Sequence, residues 1–583
     1  MSDIRDFDSV LDLRFGLDPY TDAWILHFMT ENNLEHTLNP DINASPEHLR
    51  FMVALEEDQV FAPCSDQELK QLLRSRMSPE LQEAYNRQWR RLAVFVHDNV
   101  KDRYLWRRII ALCRHKYRLV LSSPFIIPGR LMKRFLNIFL TQTSIDDPLR
   151  SEKKRANQLA RASMDSQTVQ DILSACPKEI ASCGRIQDMR WQLNLEELIR
   201  TLCLSTWPEL WQDESEDLAA RAKKDVLNTS PEVSRVLTRV FCPERQGPQK
   251  VLFIPDTSGG IYFDLLIIKA LLRQGHKVIL ALKEGFYFQA PTLWDLETDP
   301  VLAEGLNGAH VITESQISKN ELLTRQRSNP LMVISDGTRE RLNLYRTSVT
   351  FARAWKESDI ILAKGKDSHR QLILNSHEFT RDVLCFCRGQ GGQLKVVHKP
   401  KAEGVFKFTE MQLRTKAESI IQEMREAKAG GQKVMFYSAI IGSIPGQTQM
   451  AISLLNTCVR HLRERLANTF IINPAEHFEP GMDGDDLMYM WEIVQRSGLI
   501  DVWRFQSVED IETGFDLLGM KMPPVWVGKD ATYSTGCTKE MNIALDLQKR
   551  YPELQIIGPD PEKFFRRREY GVGKFFDAGI DRT

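Results

Sequence analysis

From residue 249 onward, short apolar runs rich in β-branched residues alternate with helix-length segments, and nothing else in this chain constrains the fold as strongly. The runs are 250–255, 277–282, 331–335, 359–363 and 383–387, then 433–438, 469–473, 501–504, 524–528 and 554–558. Strands separated by helix-length connections return to parallel neighbours through crossovers. The alternation therefore predicts doubly wound, mostly parallel, Rossmann-like α/β sheets. Gly430-Gly431, after a charged helical stretch, marks the expected seam between segments 249–400 and 432–583.

Residues 1–245 read differently, as an all-α region. Between 85 and 120, Tyr85, Trp89, Leu92, Val96, Val100, Tyr104, Ile109 and Leu112 recur at spacings of three to five. That is the apolar stripe of amphipathic helices packed on one another. Charge is uneven here: 1–85 carries 17 acidic against 6 basic residues, and 101–160 carries 14 basic against 4 acidic. Two readings of the basic stretch are open. One is a surface for phosphate backbones or anionic membranes, with PGRLMKRFLNIFL as the amphipathic binder. The other is a solvated face, or one docked on the acidic segment. The chain as a whole sums to a net charge of −1, so bulk electrostatics make no case for nucleic acid.

Ten cysteines without a Cys-x-x-Cys pair are the usage of reduced, buried thiols. The N-terminus lacks a signal-peptide pattern, and no apolar run reaches the roughly 20 residues that span a bilayer. The expectation is a cytoplasmic protein with no membrane span.

The segment KVLFIPDTSGGIYFDLLIIKALLRQGHKV carries the most chemistry. A strand ends at Pro255, and Asp256-Thr257-Ser258-Gly259-Gly260 turns into a helix. Ligands of open parallel sheets bind outside the carboxyl ends of the strands. Asp256 at that place can hold a divalent cation, and the small residues after it can expose amides at a helix N-terminus. An equally simple reading makes Asp256 or Thr257 a helix cap. Downstream, SDIILAKGKDSHRQL is a strand ending in Lys364-Gly365, where a lysine can reach a phosphate. Between the two, a strand ends in Ser335-Asp336-Gly337. If these strands are neighbours, Asp256, Asp336 and Lys364 converge on one rim suited to an anionic ligand with Mg²⁺ or Mn²⁺.

Over about 250–390 the chain resembles the ARMT-like damage-control phosphatases, formerly a domain of unknown function. FIPDTSGGIYFD is similar to that family's Asp-Asn-x-Gly-Glu…Phe-Asp segment, and SDIILAKGKDSHRQL to its segment around a Lys-Gly turn. The resemblance implies a helical domain over an α/β domain, with a divalent metal (Mg²⁺, Mn²⁺, Co²⁺ or Ni²⁺) supporting hydrolysis of sugar or cofactor phosphomonoesters. It implies Asp256 as metal ligand and Lys364 with Gly365 as the phosphate-binding turn, which makes Asp256 and Lys364 the catalytic residues; apart from the resemblance, Asp336 could replace a lost metal ligand. Thr257, Ser258, Gly259, Gly260, Gly365 and Ser368 would bind phosphate, and Asp264 would support the site from its helix.

The chain departs from the family at several of these positions. The family's metal-binding Asn is Thr257 and its Glu is Gly260. A later Asn-Asp pair falls at Gln289-Ala290, where Thr292 and Asp295 keep the pattern, and the Asn and Glu after the Lys-Gly turn are Ser368 and Arg370. The expectation is a divergent phosphatase-like pocket that hydrolyses or merely binds a small phosphorylated metabolite. The alternatives are a non-catalytic ligand sensor and a transferase built on two Rossmann-like domains. In 432–583, the turns 442–448 and 528–538 are further candidate anion cradles, Cys537 a candidate nucleophile, and 475–487 a solvated acidic loop.

Overall fold

The computed structural model describes residues 7–569 except 35–45, 57, 75–76, 123, 176–184, 213–223, 227–228, 243–246, 390, 445–446 and 480. The chain divides into two compact units, Met1–Glu403 and Gly404–Thr583.

In the first unit, helices precede the sheet, among them Pro79–Asn99, Arg103–Ser122, Pro128–Thr143, Arg150–Met164 and Ile186–Ser205. Pro79–Asn99 starts where its sequence dictates: Ser78 accepts a hydrogen bond from the Leu81 amide, and Pro79 needs no donor in the first turn. Leu81, Tyr85, Leu92, Phe95 and Val96 form its buried stripe. The stretch 128–143, one candidate for a surface binder, instead enters the core through Leu131, Met132, Phe135, Leu136 and Phe139. Several cations of 130–153 are paired within this unit. Arg130 meets Glu340, and Lys153 lies between Asp147 and Asp295.

The sheet of the first unit contains β1 (Lys250–Ile254), β2 (Lys277–Leu282), β3 (His310–Ile312), β4 (Leu331–Ser335), β5 (Ile360–Lys364), β6 (Asp382–Arg388) and β7 (Leu394–Lys399). Their order is β3-β4-β2-β1-β5-β6-β7, with every pair parallel except β6–β7. Alternate residues supply two cores, as a strand's period of two requires. Val251, Phe253, Leu280 and Leu362 face helices Ile186–Ser205 and Gly260–Arg273, while Leu252, Ile254, Ile279 and Ile361 face helix Val349–Glu357.

The second unit holds β8 (Lys433–Ser438), β9 (Thr469–Ile472), β10 (Val502–Phe505) and β11 (Gln555–Ile557) in the parallel order β11-β10-β8-β9. Helix Glu410–Ala429 belongs to this unit and packs on β8 and on helix Gly484–Gln495. The run 524–528 is not a strand: Pro524–Trp526 is a 3₁₀ turn. Consecutive prolines at 523 and 524 remove two donors that a sheet ladder needs. Together the units make an α/β fold with an all-α N-terminal region and mostly parallel, doubly wound sheets. Among the described residues, no helix is long and apolar enough to cross a membrane.

Candidate functional site

β1 and β5 are hydrogen-bonded neighbours, with Ile254 opposite Ala363. That register brings the turn after β1 against the last residue of β5. Lys364 Nζ lies 3.1 Å from Asp256 Oδ1 and 2.8 Å from Asp264 Oδ1. Asp264 sits in helix Gly260–Arg273 and also accepts a 2.6 Å hydrogen bond from Ser205 Oγ at the end of helix Ile186–Ser205. Lys364 and Asp264 are buried, whereas the Asp256 side chain is one-third exposed.

Glycines make this approach possible. Gly259 has φ 78°, and a Cβ there would meet the Trp211 indole at 2.5 Å. A Cβ at Gly260 would stand 2.7 Å from Lys364 Nζ and 3.0 Å from Thr257 Oγ1. Gly365, with φ 96°, lies so close that a Cβ would be 2.9 Å from that of Asp256. These are conformations and clearances that side-chain-bearing residues rarely tolerate.

Two of the turn's amides are engaged within the protein. The Ser258 amide donates to the Gln289 carbonyl at 2.7 Å, and the Gly259 amide donates to Asn157 Oδ1 at 2.6 Å. Asn157 in turn donates to Asp299 Oδ2 at 2.7 Å. Asp264 Oδ2 and Ser258 Oγ are buried without a hydrogen-bond partner.

Burial pushes the Asp264 carboxyl up to about 6, against the opposing pull of the Lys364 ammonium. Burial works in the opposite sense on Lys364, but Asp256 and Asp264 outweigh it and raise its pKa. The ammonium is therefore a fixed positive charge between two carboxylates.

The structure brings Asp256, Thr257, Ser258, Gly259, Gly260, Lys364 and Gly365 together, with Ser368 buried in the turn that follows. Asp336 does not join them. β2 separates β4 from β1, so the three strand ends are not consecutive neighbours. The Asp336 carboxylate is held by Lys283 Nζ at 2.6 Å and by the Thr338 amide at 2.7 Å. Thr292 and Asp295 are likewise tied into structure: Asp295 accepts from the Thr292 amide and from Lys153.

Sequence reasoning missed Ser205, Asn157 and Trp211, which reach the site from the helical region. The one signal available was Lys153 and Asn157, polar residues at the inward i and i+4 positions of helix Arg150–Met164.

A divalent metal needs several oxygen ligands, one or two of them carboxylates when a substrate phosphate completes the shell. Here Asp256 Oδ1 already faces the Lys364 ammonium and Thr257 Oγ1. The loop against the turn contributes Gln289, whose amide donates to Glu152, and Ala290, which has no side-chain oxygen. Among the described residues, no group of three His, Cys, Asp or Glu side chains could hold a metal ion. This donor set does not fit the metal site that the resemblance implies.

In the second unit, Ser534 caps helix Thr535–Arg550 by accepting from the Cys537 amide. The Cys537 thiol donates to the Ala439 carbonyl, and burial pushes its pKa well above the usual range, opposite to what a nucleophile requires. Asp483 caps helix Gly484–Gln495, and Glu476 pairs with Arg463. Pro445 and Gly446 of the 442–448 turn lie outside the described residues.

A family model described as the damage-control phosphatase ARMT1-like domain matches residues 60–388. Among solved structures, the chain is similar to a DUF89 family protein from Pyrococcus horikoshii, at 20% identity and a TM-score of 0.37. That match covers 52% of this chain and 90% of the other. None of the curated proteins matches.

Proposed function

The chain belongs to the damage-control phosphatase ARMT1-like family, and on that premise we propose that its β1–β5 edge binds a small phosphorylated metabolite, a sugar or cofactor phosphate. The observation that carries this reading is the ammonium of Lys364, buried at a strand's carboxyl end beneath a turn that glycine keeps open. A phosphate oxygen can take the place of Asp256, the more exposed of the ammonium's two partners, while Asp264 keeps Lys364 in position. Charge-assisted bonds of this kind are about twice as strong as neutral ones.

Hydrolysis of the bound phosphomonoester, supported by Mg²⁺, Mn²⁺, Co²⁺ or Ni²⁺, is the second reading. Family membership and the exposed face of Asp256 favour it, and the donor set speaks against it. A cytoplasmic setting is supported by the cysteines: the eight among the described residues are free and buried.

Calorimetric titration of the full chain with phosphorylated sugars and cofactors, in chelator, tests the first reading. Binding is expected and should be lost in Lys364→Ala. Failure of every ligand to bind, or unchanged binding by that variant, would sink it. Phosphate release that needs added metal and is lost in Asp256→Ala would establish the second reading instead.

A further inference from the structure

The face of helix Arg103–Ser122 that points away from the core is cationic and unusually uniform. Its 20 residues include Arg103, Arg107, Arg108, Arg114, Lys116 and Arg118 and contain no Asp or Glu. Ile109, Ile110, Cys113 and Val120 bury one side in the helical core. At 3.6 residues per turn, Arg103, Arg107, Arg114 and Arg118 line up along one flank, a stripe of about 22 Å. All four are exposed, as are Arg108, His115 and Lys116.

Arg108 bonds to Gln142, but the flank arginines carry no ion pair with the acidic residues of 7–85 among the described residues. The acidic segment uses its carboxylates elsewhere: Glu31 with Arg134, and Glu56 and Asp58 with Arg14. The chain's neutrality is thus a sum over separate surfaces, and this face keeps its charge.

Apolar side chains share this outer face and stay in water, Tyr104 next to the arginine stripe and Leu112 and Leu119 on the opposite flank. Tyr104 is 74% exposed, Leu112 43% and Leu119 49%. A phosphate backbone would neutralise the arginines and leave these three side chains unsatisfied. A bilayer surface satisfies both at once, since cations meet anionic headgroups while aromatic and aliphatic groups enter the acyl boundary.

From this combination we propose that the outer face of Arg103–Ser122 docks on membranes rich in anionic phospholipid. It is a peripheral contact, lying in the interface plane and spanning nothing. It is independent of the β1–β5 site, whose residues lie on other elements of the unit.

Co-sedimentation of the full chain with vesicles tests the proposal. One preparation is phosphatidylcholine alone, and the other contains one-third phosphatidylserine. Binding is expected only to the second and should fall steeply with added salt. The triple variant R107Q/R114Q/R118Q should weaken it on the order of a hundredfold, from about 1 kcal/mol per basic residue near the surface. Leu112→Ser with Leu119→Ser should weaken it at constant charge. All these positions are exposed, and an unchanged thermal unfolding profile checks that each variant folds. No binding to the anionic vesicles overturns the proposal. So does equal binding by the triple variant, or tighter binding to a DNA duplex than to the vesicles with the leucine variant unaffected.

Discussion

Lys364 Nζ lies 2.8 Å from Asp264 Oδ1, a carboxylate that is fully buried and whose second oxygen has no hydrogen-bond partner. Lysine ends β5 and aspartate sits on the crossover helix that follows β1, so the pair joins the carboxyl end of the sheet to the helical layer that packs on it. Removing one member of a buried pair leaves an uncompensated charge, whereas an isostere keeps the shape.

The first prediction follows from the titration of Asp264. Its folded-state pKa is about 6, above its ordinary value of 3.8. Between those values the folded chain binds more protons than the unfolded one, so this group's contribution to stability falls as pH rises from about 4 to about 6, then levels off. Asp264→Asn cannot titrate. Across that window the parent should lose stability relative to the variant, on the order of 2–3 kcal/mol. Urea unfolding at both ends of the window reads this difference, and a difference that does not change with pH refutes it.

Gly260 and Gly365 should fail in different ways. A Cβ at Gly260 reaches the end of the Lys364 side chain, 2.7 Å away, while the helix backbone accepts alanine. Gly260→Ala should therefore fold and bind phosphorylated ligands at least about tenfold more weakly, by pushing the ammonium aside. Gly365→Ala adds a Cβ at φ 96° and against Asp256, and should cost about 1–3 kcal/mol of stability. Calorimetry and urea unfolding of both variants separate the effects. Equal stability of Gly365→Ala and the parent would contradict the backbone reading.

The parallel sheets were legible because strands buried on both faces write themselves as continuous apolar runs, as KVLFIP and DIILAK do. β3 was not legible, because three residues carry no period, and neither was β7, whose LKVVHK reads half polar on an edge. At the site, Asp256 and Lys364 could be named because strand-end position is a local property. Whether Asp336 joined them depended on strand order, which a sequence does not write. Ser205 and Trp211 meet the site only through tertiary packing, 59 residues before Asp264 in the case of Ser205.

Metal affinity should be absent in the parent and recoverable by substitution. Ala290 follows Gln289, whose carbonyl accepts from the Ser258 amide, so a carboxylate at 290 would enter beside the turn that Asp256 begins. In thermal unfolding, neither Mn²⁺ nor chelator should move the parent's midpoint. The double variant T257N/A290D should be stabilised by Mn²⁺, by about 2.7 kcal/mol at a hundredfold excess over its dissociation constant. Saturable stabilisation of the parent by Mn²⁺ would show that Asp256 and its neighbours suffice as a metal site.

Asn157 ties the site turn to the next loop, accepting from the Gly259 amide and donating to the Asp299 carboxylate while nearly fully buried. Asparagine is the side chain of this size that can do both. Asn157→Leu strands a buried amide and a buried carboxylate and should cost about 3–5 kcal/mol. Asn157→Asp keeps the acceptor for Gly259 but faces Asp299 with a second carboxylate. Two such groups hold one proton more tightly when folded than when unfolded, so their paired pKa is raised. The variant's stability deficit should then be smaller at about pH 5 than at about pH 7.5, because the shared proton restores the lost donor. The parent supplies the baseline at each pH. A deficit that grows as pH falls would mean that the Asn157–Asp299 contact does not hold this turn.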